Sequence, residues 1–372
     1  MRYQQVCIES MGYSLPEEIV TSEQLEQRLE PLYERLRLPE GRLELMTGIR
    51  ERRLWPAHQL PSQQSIISGT MALKAAELDP SELGALIHGS VCRDHLEPAT
   101  ACKVHQHLKL PAKCVIYDCS NACLGLLNGM VQVGNMIELG QIKAGLVVGT
   151  EDSRHLMEAT IDHLNQATSL TRNDIKQAIA SLTIGSGSCA ILLTHESISR
   201  TKNRLECAVA RANTAFSNLC QSGSDDAVGH GMRPLMHTDS EALMREGIAT
   251  GVETFGSFLT DWGIDRTRLN RTVCHQVGTT HRRLMLESLE LEMSNDFATL
   301  EWLGNTGSVA LPISWAIACE DGFINPNQRI GLLGIGSGIN CLMLGCDWQE
   351  SRIQSTSITR PRFEPTNVAA PN

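Results

Sequence analysis

An internal repeat is the feature of this sequence that most restricts its fold. A polar segment near Asp79 leads into an apolar run, and a similar segment near Asp265 does so 186 residues later. The apolar runs Lys143–Gly149 and Arg329–Ile335 are separated by the same 186 residues. A further pair of runs lies between these markers, at Cys114–Asp118 and Phe297–Glu301. Three markers in the same order predict that the chain consists of two related halves.

Each half is predicted to alternate helices with short apolar strands, as in βαβ units. The first half contains predicted helices Ser65–Leu78, Ala99–Leu108 and Asn121–Leu139 and strands Ala85–Ser90, Cys114–Asp118, Ala144–Thr150 and Cys189–Thr194. The second contains predicted helices Glu241–Trp262, Thr280–Leu289 and Ser308–Asp321 and strands Arg271–Val277, Phe297–Leu300, Ile330–Ile335 and Asn340–Gly345. We therefore expect two three-layer α/β halves related by pseudo-twofold symmetry, with a site where they meet.

Two segments break the repeat. Residues 151–184 separate the last two strands of the N-terminal half, 1–195, and their apolar spacing predicts an inserted helical segment that shapes a substrate cavity or a dimer contact. The C-terminal half, 196–348, joins its last two strands through Gly336-Ser337-Gly338. The tail, 349–372, is predicted to be loosely ordered because it is rich in Pro, Ser and Thr.

Charge-free runs indicate where these elements lie. Five stretches of 17 to 20 residues contain no Asp, Glu, Lys or Arg, and four of them are apolar. They carry Asn, Gln, Pro and Gly, whereas a membrane span needs about 20 mostly apolar residues, so no transmembrane segment is expected. They are instead predicted to be buried on all sides within a large core.

Charge and aromatic content bear on the class of protein, and cysteine content bears on its cellular compartment. The net charge of −10 and an aromatic content of only 4% argue against nucleic-acid binding. The 13 cysteines are odd in number, and the N-terminus has no apolar signal segment. We expect a cytoplasmic protein in which most thiols are buried and unpaired.

Cys123 is the strongest nucleophile candidate. It stands at the junction of a predicted strand and the helix predicted from Asn121, where unpaired N–H groups and the helix dipole stabilise a thiolate. A buried structural cysteine is the commoner role for a single Cys. A Cys114/Cys119/Cys123 metal site is a further alternative, but no CxxC pair or suitably spaced His supports it, so no metal is expected.

His275 and Asn305 strengthen the assignment of Cys123. His275 follows the apolar run Arg271–Cys274, and Asn305 lies in a Gly304–Gly307 turn after the next strand, so both are predicted at strand ends. The repeat places both opposite Cys123, which favours a joint Cys/His/Asn site. A papain-like peptidase uses the same residue types, but its signature around the nucleophile is absent from this chain.

Five motifs resemble the β-ketoacyl synthase III branch of the thiolase superfamily, over roughly residues 1–348. They are Thr47–Arg53, Asn121-Ala122-Cys123, His275-Gln276-Val277, Gly304–Pro312 and Gly334–Gly338. The resemblance implies a thiolase-like αβαβα sandwich of two pseudo-symmetric halves. It also implies fatty acyl thioesters of CoA or acyl carrier protein as substrates, with no tightly bound cofactor.

The resemblance implies a role for each motif residue. Cys123 is expected to accept the acyl group, and His275 with Asn305 to stabilise the enolate of the second substrate. The loop at Gly336 and Ser337, with the Cys123 amide, is expected to form the oxyanion hole.

Some positions depart from that branch. Arg42 and Met46 stand where typical members have a Trp and an Arg that hold the adenine end of CoA. Val277-Gly278 and Thr280 replace an Ala-Asn pair and an Arg. These departures speak against standard malonyl–carrier-protein chemistry.

A subgroup resemblance points to Glu97. Ser90–Cys102, Gly334–Cys341 and the 26-residue interval from Glu97 to Cys123 resemble the head-to-head condensing enzyme of bacterial long-chain olefin biosynthesis. There the matching Glu reaches the partner subunit's site in a homodimer and acts as a base, which implies the same role for Glu97. By position alone, Glu97 would simply precede a helix.

The sequence therefore predicts an acyltransferase that condenses two fatty acyl-CoA molecules to a β-ketoacyl product without decarboxylation. The nearest alternative is a decarboxylative 3-oxoacyl-carrier-protein synthase III, which uses a malonyl thioester. A catalytically idle acyl-binding member of the fold is a third possibility, and the intact Cys123, His275 and Asn305 set argues against it.

Overall fold

A computed structural model describes residues 1–222 and 235–357. The strands are β1 Val6–Ser14, β2 Glu18–Thr21, β3 Glu51–Leu54, β4 Ala85–Gly89, β5 Val115–Cys119, β6 Ala144–Glu151, β7 Gly187–His195, β8 Asn203–Ala212, β9 Cys220–Ser222, β10 Met236–Thr238, β11 Arg271–Cys274, β12 Gln328–Gly336, β13 Asn340–Trp348 and β14 Ile353–Ser355. The α-helices are α1 Ser22–Arg28, α2 Glu30–Leu36, α3 Arg42–Thr47, α4 Pro61–Ala76, α5 Thr100–His107, α6 Gly125–Glu138, α7 Arg154–Gln166, α8 Arg172–Leu182, α9 Ser240–Trp262, α10 Thr279–Ser288, α11 Leu300–Leu303 and α12 Ala310–Glu320.

The main sheet has ten strands in the order β11-β12-β13-β8-β1-β7-β6-β4-β5, with β14 paired to β1. In the first half β1, β4, β5 and β6 are parallel and β7 is antiparallel to them. In the second half β8, β11 and β12 are parallel and β13 is antiparallel. The two halves join where β1 pairs with β8. This matching strand order confirms the predicted repeat.

The strand predicted at Phe297–Leu300 is wrong. The chain makes one bridge between Asp296 and Thr272 and then enters α11. The Phe297 N–H donates to the Thr272 carbonyl at 3.1 Å, and Asp296 Oδ1 accepts from the Cys274 N–H at 3.1 Å. A carboxylate thus replaces part of a strand ladder along the edge of β11, since side-chain oxygens satisfy backbone donors as well as carbonyls do.

Five layers follow from the distribution of apolar faces. Helices α6 and α12 lie in one core with residues of both halves of the sheet, and every residue of Ala310–Cys319 is buried. This burial explains why both helices come from charge-free runs. On the outer faces, α4 and α5 pack against β4 and β6, and α9 and α10 pack against β12 and β13. The predicted αβαβα sandwich is confirmed.

The insertion and the tail differ in outcome. Residues 151–184 form α7 and α8, as predicted, and these helices pack against α1 and α2 in an apolar cluster. The predicted loose tail is wrong in its first part, because Ile353–Ser355 pairs in parallel with β1. Its remainder, 358–372, lies outside the described residues. Within the described part of the chain, no helix combines the length and apolar character that crossing a membrane requires.

Candidate active site

The Cys123 thiol lies in a tight turn between β5 and α6. The predicted helix start at Asn121 is wrong, because α6 begins only at Gly125. Ala122 has a φ of 45°, in the left-handed region that residues with a side chain seldom adopt. The Leu124 N–H donates to the Asn121 carbonyl at 2.9 Å and closes the turn. Cys123 therefore sits two residues ahead of the helix.

The Cys123 thiol is protonated in the unliganded protein. Burial, reinforced by the Glu151 carboxylate and by Cys220, raises its pKa to about 12. The expected net stabilisation of a thiolate is therefore wrong, because burial favours the neutral thiol. Because the thiol is a weak nucleophile, Cys123 needs a base that takes its proton during attack.

His275 is the first of the two residues predicted to act with Cys123. It follows β11 directly, and its N–H donates to the Leu333 carbonyl of β12 at 3.0 Å. Burial, with a contribution from His281, lowers the pKa of His275 to about 3, so its imidazole is neutral at pH 7. Its two ring nitrogens are buried and form no hydrogen bond with any described residue. A neutral, unengaged imidazole can accept a thiol proton or donate to a developing oxyanion.

Gln276 holds the backbone next to His275. Its Oε1 accepts from the Thr299 and Leu300 N–H groups, both at 2.9 Å, and its Nε2 donates to the Phe297 carbonyl at 3.1 Å. These bonds provide hydrogen-bond partners for backbone groups of the segment where a strand was predicted. The His-Gln pair thus combines a reactive side chain with a structural one.

Asn305 lies in a turn fixed on both sides. Its N–H donates to the Thr183 carbonyl and its carbonyl accepts from the Gly185 N–H, both at 2.9 Å. Its Oδ1 accepts from the Gly307 N–H at 3.0 Å. Since the oxygen is engaged within the turn, the amide nitrogen is the group that remains to donate to a substrate oxygen.

The Gly336–Ser337 loop lies against the Cys123 turn. A Cβ on Gly336 would be 3.5 Å from the Cys123 backbone nitrogen. Asn340 Nδ2 donates to the Ser337 carbonyl at 3.1 Å and to Asn121 Oδ1 at 3.3 Å. One side chain therefore ties the loop to the nucleophile turn, as an oxyanion hole built from both segments requires.

Contacts between the halves bring three of the predicted residues to one region. His275 is bonded to β12 three residues before Gly336, which lies against Cys123. The turn that holds Asn305 is hydrogen-bonded to Glu151, whose charge acts on Cys123. Across residues 1–222 and 235–357, no group of three His, Cys, Asp or Glu side chains is arranged to hold a metal ion.

Glu97 belongs to the segment between β4 and α5. It is exposed and follows Leu96, whose side chain is also largely exposed. In the described ranges no hydrogen bond or ion pair joins Glu97 to Cys123, His275 or Asn305. Its role as a base stays a prediction.

Comparisons with known proteins show the family to which the chain belongs. Residues 259–347 match the family described as 3-oxoacyl-[acyl-carrier-protein (ACP)] synthase III C terminal. The acyl-CoA:acyl-CoA alkyltransferase of Shewanella oneidensis is 41% identical over 355 residues, covering 94% of this chain and 100% of that protein. The alkyltransferase of the same name from Xanthomonas campestris is 31% identical at the same coverage. The fold and these matches define a thiolase-like condensing acyltransferase.

The chain belongs to the acyl-CoA:acyl-CoA alkyltransferase family. The structure of Xanthomonas campestris OleA with bound lauric acid and lauroyl-CoA superposes with a TM-score of 0.87 at 30% identity, over 93% of this chain and 100% of that one. Other OleA structures carry a replaced cysteine or a replaced glutamate. Those two positions are 26 residues apart, the interval that separates Glu97 from Cys123 here.

Proposed function

We propose that this enzyme joins two long-chain acyl-CoA molecules by a Claisen condensation without decarboxylation. The observation that carries the proposal is the full-length similarity, 41% and 31%, to proteins named acyl-CoA:acyl-CoA alkyltransferase, against 24% to β-ketoacyl-carrier-protein synthase III. The Cys123, His275 and Asn305 arrangement supplies the chemistry that such a reaction needs.

The first step acylates Cys123. Its sulfur attacks the thioester carbonyl of the first acyl-CoA while neutral His275 takes the thiol proton. The Cys123 N–H and the Gly336–Ser337 loop stabilise the negative charge on the carbonyl oxygen. The carbon–sulfur bond to CoA then breaks, the CoA sulfur takes a proton, and an acyl-Cys123 thioester remains.

The second step forms the carbon–carbon bond. Glu97 removes an α-proton from the second acyl-CoA, and the resulting enolate oxygen accepts hydrogen bonds from His275 and the Asn305 amide. The α-carbon attacks the acyl-Cys123 carbonyl, the bond to sulfur breaks, and Cys123 regains a proton. The product is a β-ketoacyl-CoA. Two neutral donors suit this step because they stabilise the enolate without holding it as a tight ion pair.

A purified enzyme given only tetradecanoyl-CoA tests the proposal. We expect an α-branched β-ketoacyl product with twice the number of acyl carbon atoms, detected by mass spectrometry, with acyl-Cys123 as an intermediate. A strict requirement for a malonyl thioester would contradict it. CoA rather than acyl carrier protein is the proposed carrier, with no tightly bound cofactor, and replacing acyl-CoA with acyl carrier protein thioesters should slow the reaction.

We also propose a homodimer in which Glu97 serves the partner's site. Strand β5 is at the open end of the sheet, Val115 on it is 46% exposed, and Leu96 beside Glu97 is 53% exposed. An open, apolar sheet edge of this kind is normally covered, and a second copy would cover it. A cytoplasmic location is proposed as well, because all 13 cysteines are free and eight of them are buried.

Mixing two inactive variants tests the dimer. If Glu97 acts across the interface, a heterodimer of Cys123→Ala and Glu97→Gln chains contains one complete site and regains up to half of the activity of the wild-type dimer. Action within one chain predicts no recovery. Light scattering on the same samples reports whether the chains dimerise.

A further inference from the structure

Glu151, at the end of β6, is a buried carboxylate whose hydrogen-bond partners are neutral. Its side chain is only 6% exposed. It accepts from the Val91 N–H at 3.1 Å and the Cys92 N–H at 3.3 Å. It also accepts from the Ser308 N–H at 3.2 Å and the Ser308 hydroxyl at 2.5 Å. Burying a carboxylate against neutral donors is costly, so the position needs an explanation beyond packing.

The two sets of donors belong to different halves of the molecule. Val91 and Cys92 begin the segment that carries Glu97, whereas Ser308 follows Asn305 in its turn. Gly307, between Asn305 and Ser308, has a φ of 57°, and a Cβ there would be 3.0 Å from the Glu151 Cγ. The turn therefore closes directly onto the carboxylate. Glu151 is the one side chain described here that bonds to both segments of the condensation step.

The charge of Glu151 also acts on the nucleophile. It is the second largest influence, after burial, that raises the pKa of the Cys123 thiol. A negative charge near a thiol opposes thiolate formation and therefore slows spontaneous reactions of Cys123. A glutamine of the same shape would lack this effect, which separates the electrostatic role of Glu151 from its packing.

We propose that Glu151 is a positioning residue for the condensation step, which holds the Glu97 segment and the Asn305 turn in a fixed relation to Cys123. This role rests on the proposed function. Acylation of Cys123 uses neither Glu97 nor Asn305. Loss of Glu151 should therefore affect the second step far more than the first.

Glu151→Gln tests the proposal, with Glu9→Gln as the matched control. Glu9 is 2% exposed and likewise accepts from neutral donors, the Arg200 N–H at 3.0 Å and the Thr194 hydroxyl at 3.2 Å. For Glu151→Gln we expect Cys123 acylation within about threefold of wild type and condensation slowed about 100-fold, the size that a 1 Å misplacement can cause. The pH profile of Cys123 alkylation by iodoacetamide should move to lower pH. Glu9→Gln should change neither step nor the profile.

Condensation by Glu151→Gln at the control rate would overturn the role. If Glu151→Gln does not fold, Glu151→Asp provides the test: it keeps the charge and hence the profile, but it must slow condensation and spare acylation. Equal loss of both steps in Glu151→Asp would also overturn the role. A wild-type enzyme that acylates Cys123 and forms no β-ketoacyl product would instead overturn the proposed function, and this role with it.

Discussion

The two halves of this molecule share a strand order and differ at every corresponding loop of the site. After β5 the first half makes the turn that holds Cys123, whereas the matching position of the second half holds Asn305. After β4 the first half runs into the exposed Glu97 segment, whereas after β11 the second half places buried His275. The two halves therefore share a backbone arrangement but carry different residues at the matching loops.

The sheet ends differ in the same way. The β11 end is covered by Asp296 and Phe297, which bond to backbone groups of β11, while the β5 end is open. In the first half, helices α7 and α8 connect the last two strands, β6 and β7. In the second half, only Gly336–Ser337 and its neighbours connect β12 and β13. One half therefore holds Cys123 and the exposed edge, and the other holds His275, Asn305 and the Gly336–Ser337 loop.

The largest effect is expected at Cys123. Cys123→Ala removes the only proposed acyl acceptor, so both steps should be lost, with product formation reduced more than about 10⁴-fold. Intact-mass spectrometry after incubation with acyl-CoA should show no adduct. Cys119→Ala, four residues earlier on β5, serves as the control and should acylate normally. An adduct on Cys123→Ala would mean that another residue accepts the acyl group.

Asn305, which occupies the matching position in the second half, should affect the condensation step only. Asn305→Ala removes an enolate donor and is expected to slow condensation about 100-fold, while Cys123 acylation stays within a few-fold of wild type. Single-turnover release of CoA measures the first step, and product formation measures the second. An equal loss of rate in both steps would mean that Asn305 maintains the structure of the site and does not stabilise the enolate.

The buried histidines predict an acid-sensitive fold. His275 and His281 have pKa values lowered to about 3 and about 4 by burial, below the value of about 6.5 of an unfolded chain. Below pH 6.5 the unfolded state binds more protons, so stability falls with falling pH by about 1.4 kcal/mol per pH unit for each group until the folded group itself titrates. Urea unfolding at pH 7 and pH 5 checks this, and His275→Asn should lessen the slope. A slope unchanged by His275→Asn would contradict burial of a neutral His275.

The smallest effect is expected at Asn340. Asn340→Ala removes the bonds to Ser337 and Asn121 but leaves the backbone pairing of β12 and β13, so acylation should slow only about tenfold, the value of one ordinary hydrogen bond. Asn325→Ala, at an exposed position before β12, is the control. Acylation by Asn340→Ala at the control rate would show that the loop is held by its strands alone.

The site motifs were predictable because they are local. Cys123, His275 and Asn305 each follow an apolar run, and three charge-free runs contain Cys123, Asn305 or Gly336 because these segments are buried. The helices of the 151–184 insertion were predictable from apolar spacing for the same reason. Periodicity reports which face of an element is buried, and burial of one face is what each segment needs to fold.

Other features depend on residues that are distant in the chain. The strand predicted at Phe297–Leu300 is absent because Gln276 and Asp296 satisfy backbone groups there. The pKa of the Cys123 thiol is raised by burial and by Glu151. Glu151 was only the boundary of an insertion in the sequence, yet its carboxylate bonds to segments 60 and 157 residues away. The sequence by itself determined the repeat and the layers, and it predicted which residues react. Only the tertiary structure decided their protonation and mutual placement, since burial and hydrogen bonds between distant segments exist only once the chain has folded.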